Sequence, residues 1–149
     1  MAPLQPSLKG RALRLLSGRE HSRGELERKL KSYEEEPGTL ARALDELQAK
    51  GFISEARVIE SVLNRRSAKL GTTRIEQELQ SKGLDAEAIS AALATLKATE
   101  QERARVVWEK KFNTPPVDAL DAARQMRFLA SRGFGADAIR RVVKVRASD

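Results

Sequence analysis

The residues in this chain whose types and spacing could do chemistry are cations. From Arg124 to Arg146 there are seven basic residues, Arg124, Arg127, Arg132, Arg140, Arg141, Lys144 and Arg146, against one acid, Asp137. Lys110 and Lys111 lie just upstream, and Arg57, Arg65 and Lys69 form a second, looser group. Clustered guanidinium and ammonium groups attract phosphates or acidic protein surfaces; they do not by themselves make or break bonds. Groups suited to bond chemistry are missing. The absence of cysteine excludes thiol nucleophiles, disulfides and Cys-ligated zinc. The single histidine, His21, stands just before a helix cap and reads as a surface residue, not a base or ligand. Glu34-Glu35-Glu36 is a consecutive run whose side chains diverge on a helix, so it reads as a solvated helix end or loop. Gly133-Phe134-Gly135 is the one G-x-G, and no strand precedes it to make a phosphate loop. The expectation is a binding protein with no catalytic residue, no cofactor and no metal.

Composition narrows the partner. With 28 Lys and Arg against 21 acids the net charge is +7, which favours an acidic partner: nucleic acid, an acidic protein or a membrane face. Six aromatics are too few to line a track of stacking platforms for single-stranded nucleic acid. At 40% apolar the chain can build modest cores but not one deep one. The start, MAPLQPSLKG, lacks the apolar core of a signal peptide, and no run approaches the roughly 18 apolar residues of a membrane span. A soluble, cytoplasmic protein is expected.

The elements that must position these cations are helices. Helix formers dominate, and apolar residues recur at helical, not alternating, spacing. Ser22 with Glu25, Thr73 with Glu76 and Thr99 with Glu102 have capping-box spacing, and Ser54 and Asp85 suit simple N-caps. Gly18, Gly51, Gly71, Gly83 and Gly133 read as stops. Together these marks predict nine helices over residues 8–17, 23–33, 39–50, 55–70, 74–82, 86–98, 100–112, 116–132 and 136–146, after a frayed tail at 1–7. Arg74 with Glu78 and Glu78 with Lys82 have the spacing of intrahelical bridges.

The pattern repeats. Ile75, Leu79, Ile89 and Leu93 match Leu26, Leu30, Leu40 and Leu44 at an offset of 49, and Gln125, Leu129, Ile139 and Val143 at an offset of 50. Gln125 breaks the apolar set, and Met126 or Phe128 is expected to fill its place. The prediction is an all-α fold of three tandem three-helix repeats (8–52, 53–98 and 99–149) in an elongated, curved array. Units of about 50 residues are marginal alone, so neighbours must pack together or share a partner.

The segment S-E-A-R-V-I-E-S-V-L-N-R-R-S-A-K-L-G-T-T-R-I-E-Q-E-L-Q-S-K-G-L, residues 54–84, resembles the most characteristic stretch of the RecX family, bacterial regulators of the RecA recombinase. The matching pieces are Glu55, Arg57, Arg65-Arg66, Gly71, Arg74-Ile75, Glu78-Leu79 and Lys82-Gly83. Residues 12–30, W-E-K-K-F at 108–112 and F-L-A-S-R-G-F at 128–134 are similar to the family's outer units. Tyr33-Glu34-Glu35-Glu36-Pro37 departs from the pattern, since a lysine–glycine turn is more usual there. The resemblance implies tandem three-helix repeats that lie in the groove of the RecA filament on single-stranded DNA. It implies modulation, mainly inhibition, of recombinase, ATPase and co-protease activities in DNA repair and the SOS response. The partner expected is that filament, with at most weak direct DNA contact in addition; no membrane is involved and the chain is a monomer. Candidate contacts are Arg57, Arg65, Lys69, Lys110, Lys111, Arg124, Arg127, Arg132, Arg140, Arg141 and Lys144. Two other readings of the basic helices stay open: a helix-turn-helix-like DNA-binding regulator, and a helical-repeat scaffold for another acidic protein.

Overall fold

The computed structural model describes residues 5–144, which form eight α-helices and one 3-10 turn and no strand. The helices are α1 (Leu8–Gly18), α2 (Arg23–Leu30), α3 (Thr39–Ala49), α4 (Glu55–Arg66), α5 (Thr72–Ser81), α6 (Ala86–Lys111), α7 (Ala119–Ser131) and α8 (Ala136–Val142); the 3-10 turn, Lys31–Tyr33, follows α2. The last helix ends at Val142, with Val143 extended, short of the expected 146. Arg146 and residues 1–4 of the expected tail lie outside the described residues.

Three separate cores carry the fold. The first gathers Leu26, Leu30, Leu40, Leu44 and Leu47 with Ala12 and Ile53. The second gathers Val58, Val62, Ile75, Leu79, Ile89 and Leu96. The third gathers Leu129, Phe134, Ile139, Val142 and Val143 with Ala104 and Ala122. The residues matched by the 49- and 50-residue offsets thus occupy equivalent core positions, except that Leu93 is only half-buried at the margin of the second core, where Leu44 and Val143 are fully buried. Gln125 holds its core position: it is buried, and no neighbour replaces it. Its carbonyl oxygen accepts from Trp108 Nε1 at 2.7 Å and its amide donates to the Thr114 carbonyl at 3.1 Å. A satisfied polar side chain can hold a core position that an unsatisfied one could not.

Two expected helices, 86–98 and 100–112, are one. No glycine or proline interrupts residues 86–111, so nothing stops the first helix before Thr99 could cap a second. Thr99 is interior; its hydroxyl donates to the Leu96 carbonyl and accepts from Arg103 Nε. The N-terminal half of α6 packs into the second core through Ile89 and Leu96, and its C-terminal half into the third through Ala104, Val107 and Trp108.

Caps explain most other boundaries. Ser22 and Glu25 form the full capping box; Ser54 and Asp85 accept from Arg57 N and Ala88 N. Thr73 does not cap, because α5 already begins at Thr72 with Gly71 as its cap residue. Asp118 caps α7, so that helix starts at Ala119, beyond the two prolines. Glu34 accepts from Leu40 N at 2.9 Å, serving the start of α3, whose cap residue Gly38 has no side chain.

The glycines divide into two kinds. Gly51, Gly83 and Gly133 have φ of 83°, 69° and 92°, the left-handed conformation that ends a helix. Gly18 is the last residue of α1, and Gly71 has φ −81°. Neither is a left-handed stop. Gly71 is needed for proximity: a Cβ there would lie 2.3 Å from the Gly133 carbonyl carbon.

Candidate functional site: a basic and aromatic cleft between the second and third units

The second and third units meet along backbone. Gly71 N donates to the Arg132 carbonyl at 2.7 Å and Thr73 N to the Gly133 carbonyl at 3.1 Å. Arg74 reaches across to the Ser131 carbonyl at 2.7 Å and does not bridge to Glu78. The carbonyls at the C-terminus of α7 therefore cap the N-terminus of α5, which satisfies both helix ends. Two residues of mid-α6 complete the joint. Glu100 Oε1 accepts from Thr72 N at 3.1 Å and Gly135 N at 3.3 Å, serving two helices whose cap residues are glycines. Arg103 Nη1 donates to the Ser67 and Leu70 carbonyls at 2.9 and 2.7 Å, and Nη2 to the Leu96 carbonyl at 3.1 Å. Burial lowers the Arg103 pKa, with Glu100 opposing. A guanidinium stays charged under such a shift.

This joint frames a cleft of about 360 Å³. Lys69 enters from the turn after α4, Lys110 and Lys111 from the last turn of α6, and Arg132 from the end of α7. Ala68, Val107 and Phe128 supply the apolar floor. Lys111 Nζ lies 5.3 Å and Arg132 Cζ 5.0 Å from the Phe128 ring centroid. Phe112 meets Phe128 edge to face at 5.5 Å, and Arg124 Cζ lies 5.1 Å from the Phe112 centroid. Rings hold cations by their quadrupole without neutralising them. Among the described residues, none of Lys69, Lys110, Lys111 or Arg132 makes a salt bridge. The cleft is a concentration of uncompensated positive charge over an apolar floor, suited to holding an anionic group.

The other candidate contacts lie elsewhere. Arg57 is turned to the first unit, with Nε 2.8 Å from Glu20 Oε1 and Nη2 2.6 Å from the Gly51 carbonyl. Arg124 also pairs with Asp121 at 2.8 Å, and Arg140 pairs with Asp137. Arg141 donates to Gln101 at 3.4 Å. Arg65, Arg127 and Lys144 are exposed.

The first junction also docks on carbonyls at a helix end, and adds ion pairs to them. Ser22 Oγ donates to the Lys82 carbonyl at 2.6 Å, and Arg28 to the Ser81 carbonyl at 2.8 Å. Lys82 Nζ pairs with Glu25 at 3.2 Å, and Arg19 with the other carboxylate oxygen at 2.6 Å. Lys82 is therefore an inter-unit ligand, and Glu78 pairs with Arg66 instead. Burial alone would raise the Glu25 pKa; hydrogen bonds from Arg19, the Ser22 N–H and Lys82 outweigh it and hold the carboxyl at about 2. His21 is not a surface residue. It is 2% exposed, its Nδ1–H donates to the Arg19 carbonyl at 3.1 Å, and its Nε2 accepts from Lys29 at 2.9 Å. Burial lowers its pKa, as do Arg19 and Lys29, against the raising effect of its hydrogen bond to the Arg19 carbonyl.

Glu100, Arg103 and the long-range roles of Glu25 and Lys82 were not read from the sequence. A signal for Glu100 existed: α5 and α8 both start at glycines, so a side chain from elsewhere had to serve their N–H groups.

Fold and cleft together define a class: an all-helical array of three-helix units with a basic surface at a unit junction. Family models described as the RecX first, second and third three-helix domains match residues 9–47, 54–93 and 98–143. The chain belongs to the RecX family. It is 52% identical to Regulatory protein RecX of Leptothrix cholodnii over 141 residues, covering 95% of this chain and 90% of that one. It is 48% identical to Regulatory protein RecX of Herminiimonas arsenicoxydans, covering 98% and 97%. The crystal structure of RecX from Lactobacillus salivarius superposes with a TM-score of 0.78 at 22% identity, covering 91% of this chain and 92% of that one. At that identity the likeness speaks for the fold. No helix among the described residues is long and apolar enough to cross a membrane.

Proposed function

We propose that this chain binds the RecA filament on single-stranded DNA and restrains its recombinase, ATPase and co-protease activities in DNA repair and the SOS response. In this reading it acts in the cytoplasm as a monomer, without catalysis of its own. The observation that carries the reading is the cleft, where Lys69 from the second unit converges with Lys110, Lys111 and Arg132 from the third, all without a carboxylate partner. Membership of a family whose curated members are named regulatory proteins supports it. The three units, 8–52, 53–98 and 99–149, touch successive protomers, and multivalent contact raises affinity.

The test is DNA-dependent ATP hydrolysis by RecA, titrated with this protein. The wild type lowers the rate at substoichiometric or comparable concentration; an unchanged rate with folded protein refutes the function. Charge reversal at Lys69, Lys110 and Lys111 raises the half-inhibitory concentration about tenfold, since three lost charge contacts at ~0.5 kcal/mol each total ~1.5 kcal/mol. Reversal at Arg140, Arg141 and Lys144 does less, because two of those side chains already have partners. Full inhibition by the first variant removes the cleft from the binding surface.

A further inference from the structure

A second cationic pocket lies on the first unit, away from the cleft. It encloses about 570 Å³, within the range of small-ligand sites, between α1 and the end of α2. Arg11, Arg14, Lys29 and Tyr33 supply its polar lining, and Leu15 and Leu30 its apolar wall. The Arg11 guanidinium carbon sits 3.8 Å from the Tyr33 ring centroid.

Three features mark it as built. First, among the described residues none of Arg11, Arg14 and Lys29 makes a salt bridge, and no carboxylate lines this pocket. Glu35 and Glu36 border the adjoining hollow instead, beyond Arg11 and Tyr33. Like charges gathered without a counter-charge repel one another, so an anion entering here relieves an existing cost. Second, Lys29 is aimed by a buried group. His21 gives its Nδ1–H to the Arg19 carbonyl, so Nε2 carries the lone pair that accepts from Lys29. A neutral imidazole orients the ammonium and leaves its charge intact.

Third, the repeat leaves Tyr33 without a structural task. Tyr33 stands 49 positions before Lys82, which itself stands 50 before Arg132. At those two positions the backbone docks on the preceding unit, the Lys82 carbonyl on Ser22 and the Arg132 carbonyl on Gly71. Among the described residues no unit precedes the first, and there an aromatic ring stands 49% exposed beside a stacked guanidinium. Packing does not account for that ring.

We propose that Tyr33, Arg11, Arg14 and Lys29 bind one nucleotide unit of single-stranded DNA, its base stacked on the Tyr33–Arg11 pair and its phosphate between Arg14 and Lys29. Six aromatics cannot line a track, but one ring serves one base. The acids of the adjoining hollow confine the phosphate to the cationic side. This site stands independently of the RecA reading, and a null result with RecA does not touch it.

The experiment is fluorescence anisotropy of a labelled oligothymidylate with the full chain at low salt, RecA absent. Tyr33→Ala weakens binding about tenfold, the scale of one base–aromatic stack. Tyr33→Phe keeps affinity within about twofold. Arg14→Glu weakens binding and flattens the salt dependence by about one ion. Circular dichroism checks that each variant folds. No binding by the wild type, or wild-type affinity in both Tyr33→Ala and Arg14→Glu, overturns the proposal. Equal displacement of the oligonucleotide by polyglutamate of the same charge also overturns it, because the pocket then reads charge alone and belongs to an acidic protein.

Discussion

Replacing Glu25 by Gln removes one charge and turns the oxygen that accepts from Arg19 into an amide donor. Glutamine fits the capping box as well as glutamate, so the bond from Ser22 N survives. What is lost is the counter-charge for Lys82, whose side chain is 11% exposed, and for Arg19. The carboxyl titrates at about 2 when folded against 4.5 ordinarily. That gap corresponds to about 3 kcal/mol of stability at neutral pH, in line with breaking a buried pair from one side. The sign follows from proton binding. As pH falls below 4.5 the unfolded chain takes up the proton first, so the contribution drains away until the folded carboxyl titrates at about 2. Urea unfolding followed by circular dichroism from pH 7 to pH 2 measures this. At pH 7, Glu25→Gln lowers the midpoint by about 1–2 M. Its stability then lacks the wild type's steeper fall below pH 4.5, and the two curves converge near pH 2. A loss under about 1 kcal/mol at pH 7, or an acid slope identical to the wild type's, refutes the assignment. Lys82→Met supplies the cycle: it costs less on the Glu25→Gln background than alone, because the two residues share one interaction.

Two further substitutions test the other joints. Gly71→Ala puts a methyl 2.3 Å from the Gly133 carbonyl carbon; a cost of about 1–3 kcal/mol is expected, with faster amide exchange at Gly71 and Thr73, and native exchange rates would show that the units do not meet there. Gln125→Leu restores the repeat's apolar residue yet destabilises by about 1–3 kcal/mol, because Trp108 Nε1 and the Thr114 carbonyl lose their partner; a gain in thermal midpoint would contradict that account.

The helices were legible because their signals are local. The Ser22–Glu25 box, the Ser54 and Asp85 caps and the three left-handed glycines each depend on residues within about one turn. The one large error in the helix pattern, a break at Thr99, came from a cap signal with no stop ahead of it. The candidate cations were legible as a population. Which of them converge was not, because Lys69 and Arg132 stand far apart in sequence and meet only through the joint that Glu100 and Arg103 hold.

By itself the sequence determined the class of fold, the repeat, most core positions and the absence of cysteine chemistry, since each follows from residue type and short-range spacing. Tertiary structure alone decided which charges are spoken for. Arg74, Lys82, Glu25 and Arg57 look like surface charges along the chain, and each becomes a tie between units because its partner lies at least 37 residues away. The physical reason is that an ion pair or a cap needs a partner within about 3 Å, and distance in space between helices is set by how their cores pack, not by spacing within either helix.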